Sequence, residues 1–304
     1  MLTEYALMPD IFDSRGYSSP EVCSIRMEYI KDVVLQEGLV RDLRNGEWRR
    51  YIDARKYEDC WPSRSRELFK RLVKQNRLRP VPSVGDKPPS DAISWCHEAL
   101  ASHHKDPLNG IITTQSVADE FASTDIVSPI DKISSATWWR ERSPSVRLHR
   151  RTDDYLRHLK LVFAQANSIM FIDPYIDPVK HNYREFYKLL AACRRELPPE
   201  IEIHLCHLDG ITPIQYQEDF EKKLSNTIQK AGLTVKVFIW NKFHDRYLIS
   251  NVIGIKLSNG FDISNNSDEM TTWGRLGRDD RDDIQREFDP ASLRHQLLHQ
   301  FTVS

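Results

Sequence analysis

The chain has 304 residues, 40% hydrophobic and 29% charged, which excludes a disordered or fibrous protein and provides for a substantial core, most naturally shared between two domains. Its 43 Lys and Arg against 44 Asp and Glu leave a formal net charge of -1, so any electrostatic function must come from local placement of charge. No apolar run reaches the roughly 20 residues that span a bilayer, and MLTEYALMPDIFD carries acids where a signal peptide carries cations; the expected location is cytoplasmic.

Cys23, Cys60, Cys96, Cys193 and Cys206 stand singly with no C-x-x-C pair. That pattern predicts free thiols, with neither a disulfide framework nor a structural zinc site, and no metal or cofactor is expected.

The first clear element is a helix from Pro20, capped by Ser18-Ser19, with Val22, Ile25, Tyr29 and Val33 at helical spacing and Gly38 to end it. From Arg41 to Arg79, cations that include Arg49, Arg50 and Arg55 are interleaved with Trp48, Tyr51, Tyr57, Trp61 and Phe69. Cations beside stacking platforms suit a nucleic-acid backbone and its bases, which makes these three arginines candidate substrate-binding residues. The competing reading is an amphipathic helix from Ser63 to Leu78, with Leu68, Phe69 and Leu72 facing inward and the charges solvated. The stretch PVPSVGDKPP at 80–89 cannot hold regular structure. A helix is expected near Asp91 to His103, then a short strand in IITT and a short helix from Gln115 to Phe121. Ala136 to Arg151 reads as a linker. Residues 1–150 are thus expected to form a smaller, mainly helical domain, and residues 151–304 an α/β domain.

That second domain opens with a helix from Asp153 to Ala166, bearing Leu156, Leu159, Val162 and Phe163 on one face. A strand follows at Ser168 to Ile172, ended by Asp173-Pro174-Tyr175. Then come a helix near Asn182 to Arg195, a strand at Glu200 to Leu208, a helix from Gln217 to Ala231 and a strand at Val235 to Trp240. The alternation predicts an α/β fold, a mixed sheet flanked by helices with parallel neighbours among its strands. Its rim, where Asp173 and Tyr175 fall, is where ligand sites gather. His204 and His207 are three residues apart and so point to opposite strand faces, which argues against a shared metal site. The acidic run from Asp279 to Asp289 reads as a solvated helix start or as a mask for a basic surface.

Residues 243–250 alternate as a half-buried strand would, placing His244 and Arg246 on one face about 6–7 Å apart, where imidazole and guanidinium can share a phosphate. His244-x-Arg246, Asn251 and Ser258-Asn259, with Gly260 next, resemble the phospholipase D-like superfamily's signature of His-x-Lys, Asp and Gly-Ser, with Arg, Asn and Ser-Asn as replacements. HDRYLIS followed by NGFD is similar to the divergent, single-motif branch of that superfamily, and the resemblance covers the chain from about Asp153.

The resemblance implies metal-independent phosphodiester chemistry. His244 attacks phosphorus, Arg246 holds the phosphate oxygens, Asn251 and Ser258 complete the catalytic set, and Asp173, Tyr175 and Asn259 lie near the substrate. An amide at position 251 cannot supply the charge that steadies an imidazolium. His103-x-Lys105 and His158-x-Lys160 follow no sheet strand, so a two-histidine site requires a homodimer with His244 of two chains across a two-fold axis. The function implied is a phosphodiesterase or nuclease acting on or binding nucleic-acid phosphodiesters, a component of prokaryotic defence or of a mobile element. The alternative is an inactive module of the same fold that binds nucleic acid, anionic lipid headgroups or a protein partner within a larger assembly.

Overall fold

A five-stranded parallel sheet organises the first part of the computed structural model, which describes residues 1–304 and divides into two units, Leu2–Arg142 and Ser143–Ser304 with Met1. The first unit runs β1 (Thr3–Leu7), α1 (Pro20–Glu37), β2 (Gly38–Asp42), α2 (Leu43–Arg55), α3 (Ser63–Lys74), β3 (Leu78–Pro80), α4 (Ala92–Lys105), β4 (Gly110–Thr113), α5 (Gln115–Asp119), β5 (Val127–Pro129) and α6 (Thr137–Arg140). Its strand order is β3-β2-β1-β4-β5, with every pair parallel.

The helices anticipated in this region are present, yet they surround a sheet, so the expectation of a mainly helical domain is corrected. The strands are short, and they carry charge into the interior. Glu4 on β1 and Arg41 on β2 are 1% and 0% exposed. Arg41 donates to Glu4 at 2.5 Å, to the Ser102 hydroxyl at 3.0 Å and to the Asp106 carbonyl at 2.8 Å. Arg79 on β3 donates to both Glu4 oxygens, at 2.5 and 2.8 Å, and to Asp106 at 2.8 Å. Three adjacent strands and the end of α4 are thereby cross-linked around one carboxylate.

Ser19 caps α1 by accepting from the Val22 N–H. The core-facing stripe of this helix is Cys23, Met27, Ile30 and Val34, one position round from the stripe expected, and Ile25 is 66% exposed. The basic, aromatic stretch also resolves differently from the stacking-platform reading. Trp48, Trp61 and Phe69 lie in the core, with Phe12 stacked on Trp61 at 5.1 Å. Tyr51 donates its hydroxyl to the Ser90 carbonyl and lies under Arg55. Leu68, Phe69 and Leu72 of α3 face inward while Arg64, Arg66, Lys70, Arg71 and Lys74 are exposed, which is the amphipathic arrangement. Arg49 and Arg50 are exposed; Arg55 is half-buried and lies 3.8 Å from Glu58.

The second unit runs β6 (Ser145–His149), α7 (Thr152–Gln165), β7 (Ser168–Ile172), α8 (Phe186–Ala191), β8 (Glu200–Leu205), α9 (Pro213–Ala231), β9 (Val235–Trp240), β10 (Tyr247–Ser250), β11 (Gly254–Leu257), β12 (Met270–Arg275), α10 (Arg278–Glu287) and β13 (Leu297–Val303). Its eight-stranded sheet has the order β13-β9-β8-β7-β10-β11-β12-β6. β7, β8 and β9 are parallel, and the remaining pairs are antiparallel. The stretch expected as a linker therefore supplies an edge strand, β6, paired with β12.

Phe171 points to the face covered by α7 and α8, where it meets Phe163 and Phe186. On the other face Ile284 and Phe288, in and just after α10, pack on Met170, Ile172, Phe238, Trp240 and Ile249. The acidic run begins α10, with Asp279 and Asp280 in its first turn, where carboxylates complement the helix dipole. No helix is long and apolar enough to cross a membrane. All five cysteines are free thiols.

Candidate phosphate site at the rim of the second sheet

β7 and β8 run parallel with Ile172 opposite His204, and β10 runs antiparallel on the other side of β7 with Tyr247 opposite Ile172. The segments that leave β7 and β8 and the segment that enters β10 therefore meet at one rim, where side chains are free of the strand ladder.

Asp173 organises that rim. It has no solvent exposure, and its Oδ1 accepts from the Tyr175 N–H at 3.1 Å. Its Oδ2 accepts from the Tyr183 hydroxyl at 2.8 Å and from the Phe261 N–H at 3.0 Å. Burial pushes this carboxyl above the usual range, against the opposing pull of those three donors and of Arg246. The loop after β11 lies so close that a Cβ on Gly260 would come 1.7 Å from Oδ2. Asp173 is therefore a clamp beneath the site, with its oxygens spent on the protein.

Arg246 lies above the clamp. Its Nε is 3.7 Å from Asp173 Oδ1 and its side chain is 28% exposed, and the guanidinium carbon is 5.3 Å from the centre of the Tyr175 ring. His244 is exposed on the segment between β9 and β10. That segment is held by the buried Phe243, whose carbonyl accepts from Cys206 Sγ at 3.4 Å. His244 and Arg246 were expected on one strand face. The strand begins only at Tyr247, so the two are loop residues placed by the Phe243 anchor.

The other residues of the motif separate. β11 ends at Leu257, whose N–H donates to the Arg246 carbonyl at 2.9 Å, and this brings Ser258 and Asn259 to the same rim. The Ser258 N–H donates to the Thr272 carbonyl and the Asn259 N–H to Thr271 Oγ1. Asn251 is at the opposite end of the sheet. Its side-chain oxygen accepts from the Asn167 N–H at 2.8 Å at the start of β7, five residues beyond Arg246 and so about 15 Å along a strand.

Tyr183, Gly260 and His207 belong to the rim but were not among the site residues expected from the sequence. The His207 N–H donates to the Pro174 carbonyl at 2.8 Å, and the His207 ring lies 5.0 Å from that of Tyr175. Its signal was available: two neighbouring parallel strands end in Asp-Pro-Tyr and in His-Leu-Asp. His204, by contrast, is a core residue. It stacks on Phe238 at 4.8 Å, its Nδ1 accepts from Trp240 Nε1, and burial lowers its pKa. No three His, Cys, Asp or Glu side chains are grouped to hold a metal ion.

The second unit is an open mixed sheet with helices on both faces and a His-x-Arg loop entering the strand beside its central parallel set. Residues 154–285 match the family model described as the phospholipase D-like domain at the C-terminus of MIT, and this segment is a phospholipase D-like domain. No protein of curated function matches the sequence. Among solved structures, the archaeal chromatin protein TrmBL2, described as showing a novel mode of DNA binding, is 10% identical, with 77% of this chain and 82% of that chain covered at a TM-score of 0.28. The phosphatidylserine synthase of Haemophilus influenzae Rd KW20 is 12% identical, with 51% of this chain and 39% of that chain covered at a TM-score of 0.28. Overlaps of that extent bear on neither ligand nor activity.

Proposed function

We propose that the second unit binds nucleic-acid phosphodiesters on Arg246, with His244 and Tyr175 beside it, and that a single chain does so without turnover. One observation carries this reading. A guanidinium is permanently charged and offers five donors, yet the Arg246 guanidinium, 28% exposed, makes no hydrogen bond within the chain; its carboxylate neighbour is 3.7 Å away and already engaged by Tyr175, Tyr183 and Phe261. Its donors are free for a bidentate anion. Binding without turnover is supported by Asn251, which serves the other end of the sheet, leaving His244 with no carboxylate to orient it. Nucleic acid, in preference to a lipid headgroup, is supported by the first unit. Arg49 and Arg50 on α2 and Lys70 and Lys74 on α3 are exposed cations of the kind that suits a polyanion.

In titrations of a labelled single-stranded DNA oligonucleotide at fixed salt, Arg246→Ala is expected to weaken binding by about 10- to 100-fold, the range for charge-assisted hydrogen bonds. Arg49→Ser/Arg50→Ser should lower the slope of log affinity against log salt by about one unit per lost contact. Undiminished binding by Arg246→Ala overturns the proposal, and tighter binding to anionic lipid vesicles than to DNA replaces nucleic acid by a headgroup.

The exposure of His244 favours a second reading. In a homodimer, His244 of one chain would attack phosphorus while the partner's imidazole protonates the leaving oxygen. This reading expects DNA cleavage in EDTA that rises faster than linearly with protein concentration and is lost in His244→Ala. Intact DNA at every protein concentration removes it.

A further inference from the structure

We infer that the rim holds a further phosphate-contacting group supplied by the same chain, His207 held by Asp209; this rests on the proposed binding of phosphate at Arg246. The Pro174 carbonyl accepts from both the Cys206 N–H, at 3.2 Å, and the His207 N–H, at 2.8 Å, so the segment after β8 is tied to the Asp173-Pro174-Tyr175 turn. That tie brings the His207 ring to 5.0 Å from the Tyr175 ring, the same ring that Arg246 approaches at 5.3 Å. The imidazole and the guanidinium thus border one side chain, and the imidazole is 51% exposed to solvent.

The ring is fixed by its neighbours. His207 Nε2 is 2.5 Å from Asp209 Oδ1. Asp209 adopts a left-handed backbone with φ 47° ahead of Gly210 at φ 85°, and Lys180 holds its carboxylate from the other side. Lys180, and after it His207, keep the Asp209 carboxyl below the usual range. With Nε2 committed to Asp209, a protonated ring has Nδ1–H left to donate to a phosphate oxygen. The ring contacts Asp209, whose carboxylate also holds Lys180, and Arg246 lies against the same Tyr175 ring.

The experiment measures binding of the same single-stranded DNA probe at pH 6 and pH 8, the interval over which an ordinary imidazole changes charge. A His244→Gln background removes the exposed imidazole two residues before Arg246. In that background binding is expected to be about tenfold tighter at pH 6 than at pH 8, and adding His207→Gln should abolish the difference. A pH difference that persists unchanged in His244→Gln/His207→Gln overturns the inference while leaving Arg246 as the phosphate ligand. Binding unaffected by Arg246→Ala in the same assay overturns the underlying reading instead. Because His207 is half exposed, far-ultraviolet circular dichroism of the variant should match wild type.

Discussion

Glu4→Ala is expected to destabilise the first unit by about 3–5 kcal/mol, the cost of removing one partner from a buried ion network. Glu4 has 2% side-chain exposure and Arg41 has none, and Arg79 is 13% exposed. Without the carboxylate, two guanidiniums stay inside a sheet with only Asp106, Ser102 and a carbonyl to share. A surface pair of the same geometry would be worth well under 1 kcal/mol, so the size of the effect distinguishes a buried network from a solvated one. Trp48, Trp61, Trp95, Trp138 and Trp139 lie in the first unit, against Trp240 and Trp273 in the second. Urea unfolding of the full chain followed by tryptophan emission therefore reports mainly on the affected unit. A loss below about 1 kcal/mol would mean that water reaches the arginines, and the network would then have no share in holding β1, β2 and β3 together.

The same network explains why the first sheet was hidden in the sequence while the second was not. A buried strand is recognised by an apolar run. TEYAL, GLVRD and LRP are broken by Glu4, Arg41 and Arg79, the residues that neutralise one another in the interior. In the second unit SIMFI and VKVFIW keep their runs, with long α7 before the first and long α9 before the second, so the α/β alternation could be read directly. β6 was missed for the opposite reason. SVRLH is an edge strand with only Leu148 fully buried, and its arginine and flanking proline resemble a linker. At the site, the count of residues in the motif was legible but its geometry was not. Alternation over 243–250 continued into a loop because Phe243 is buried there for its own reason, as the anchor of the His244-Arg246 segment. Asn251 keeps the spacing of the motif, yet a strand carries it to the far end of the sheet. Tyr183 and Gly260 could not be assigned from spacing, since their role is contact with Asp173 across 10 and 87 positions of sequence.

Asp173→Ala should be the most damaging single change at the rim, and its effect should depend on Gly260. Removing the carboxylate leaves the Tyr183 hydroxyl and the Phe261 and Tyr175 amides without acceptors. At about 1–3 kcal/mol for each stranded buried donor, a loss of about 3–5 kcal/mol is expected in the second unit, together with faster hydrogen exchange at the Phe261 and Tyr175 amides. The pH dependence has a definite sign. Burial raises the Asp173 carboxyl, so between the ordinary aspartate value of about 3.9 and the raised folded value the folded state keeps a proton that the unfolded state releases. The contribution of this group to stability is therefore greatest at low pH and declines as pH rises through that window; the Asp173→Ala variant lacks this decline. Gly260→Ala tests the clamp from the other side, because its Cβ would meet Asp173 Oδ2 at 1.7 Å. If that collision is the cost of the alanine, Gly260→Ala is severely destabilising in wild type and much milder in Asp173→Ala, a coupling of more than about 1 kcal/mol for two residues in contact. Costs that simply add in the double variant would show that the loop after β11 does not rest on Asp173, and that the carboxylate is free to meet the ligand directly.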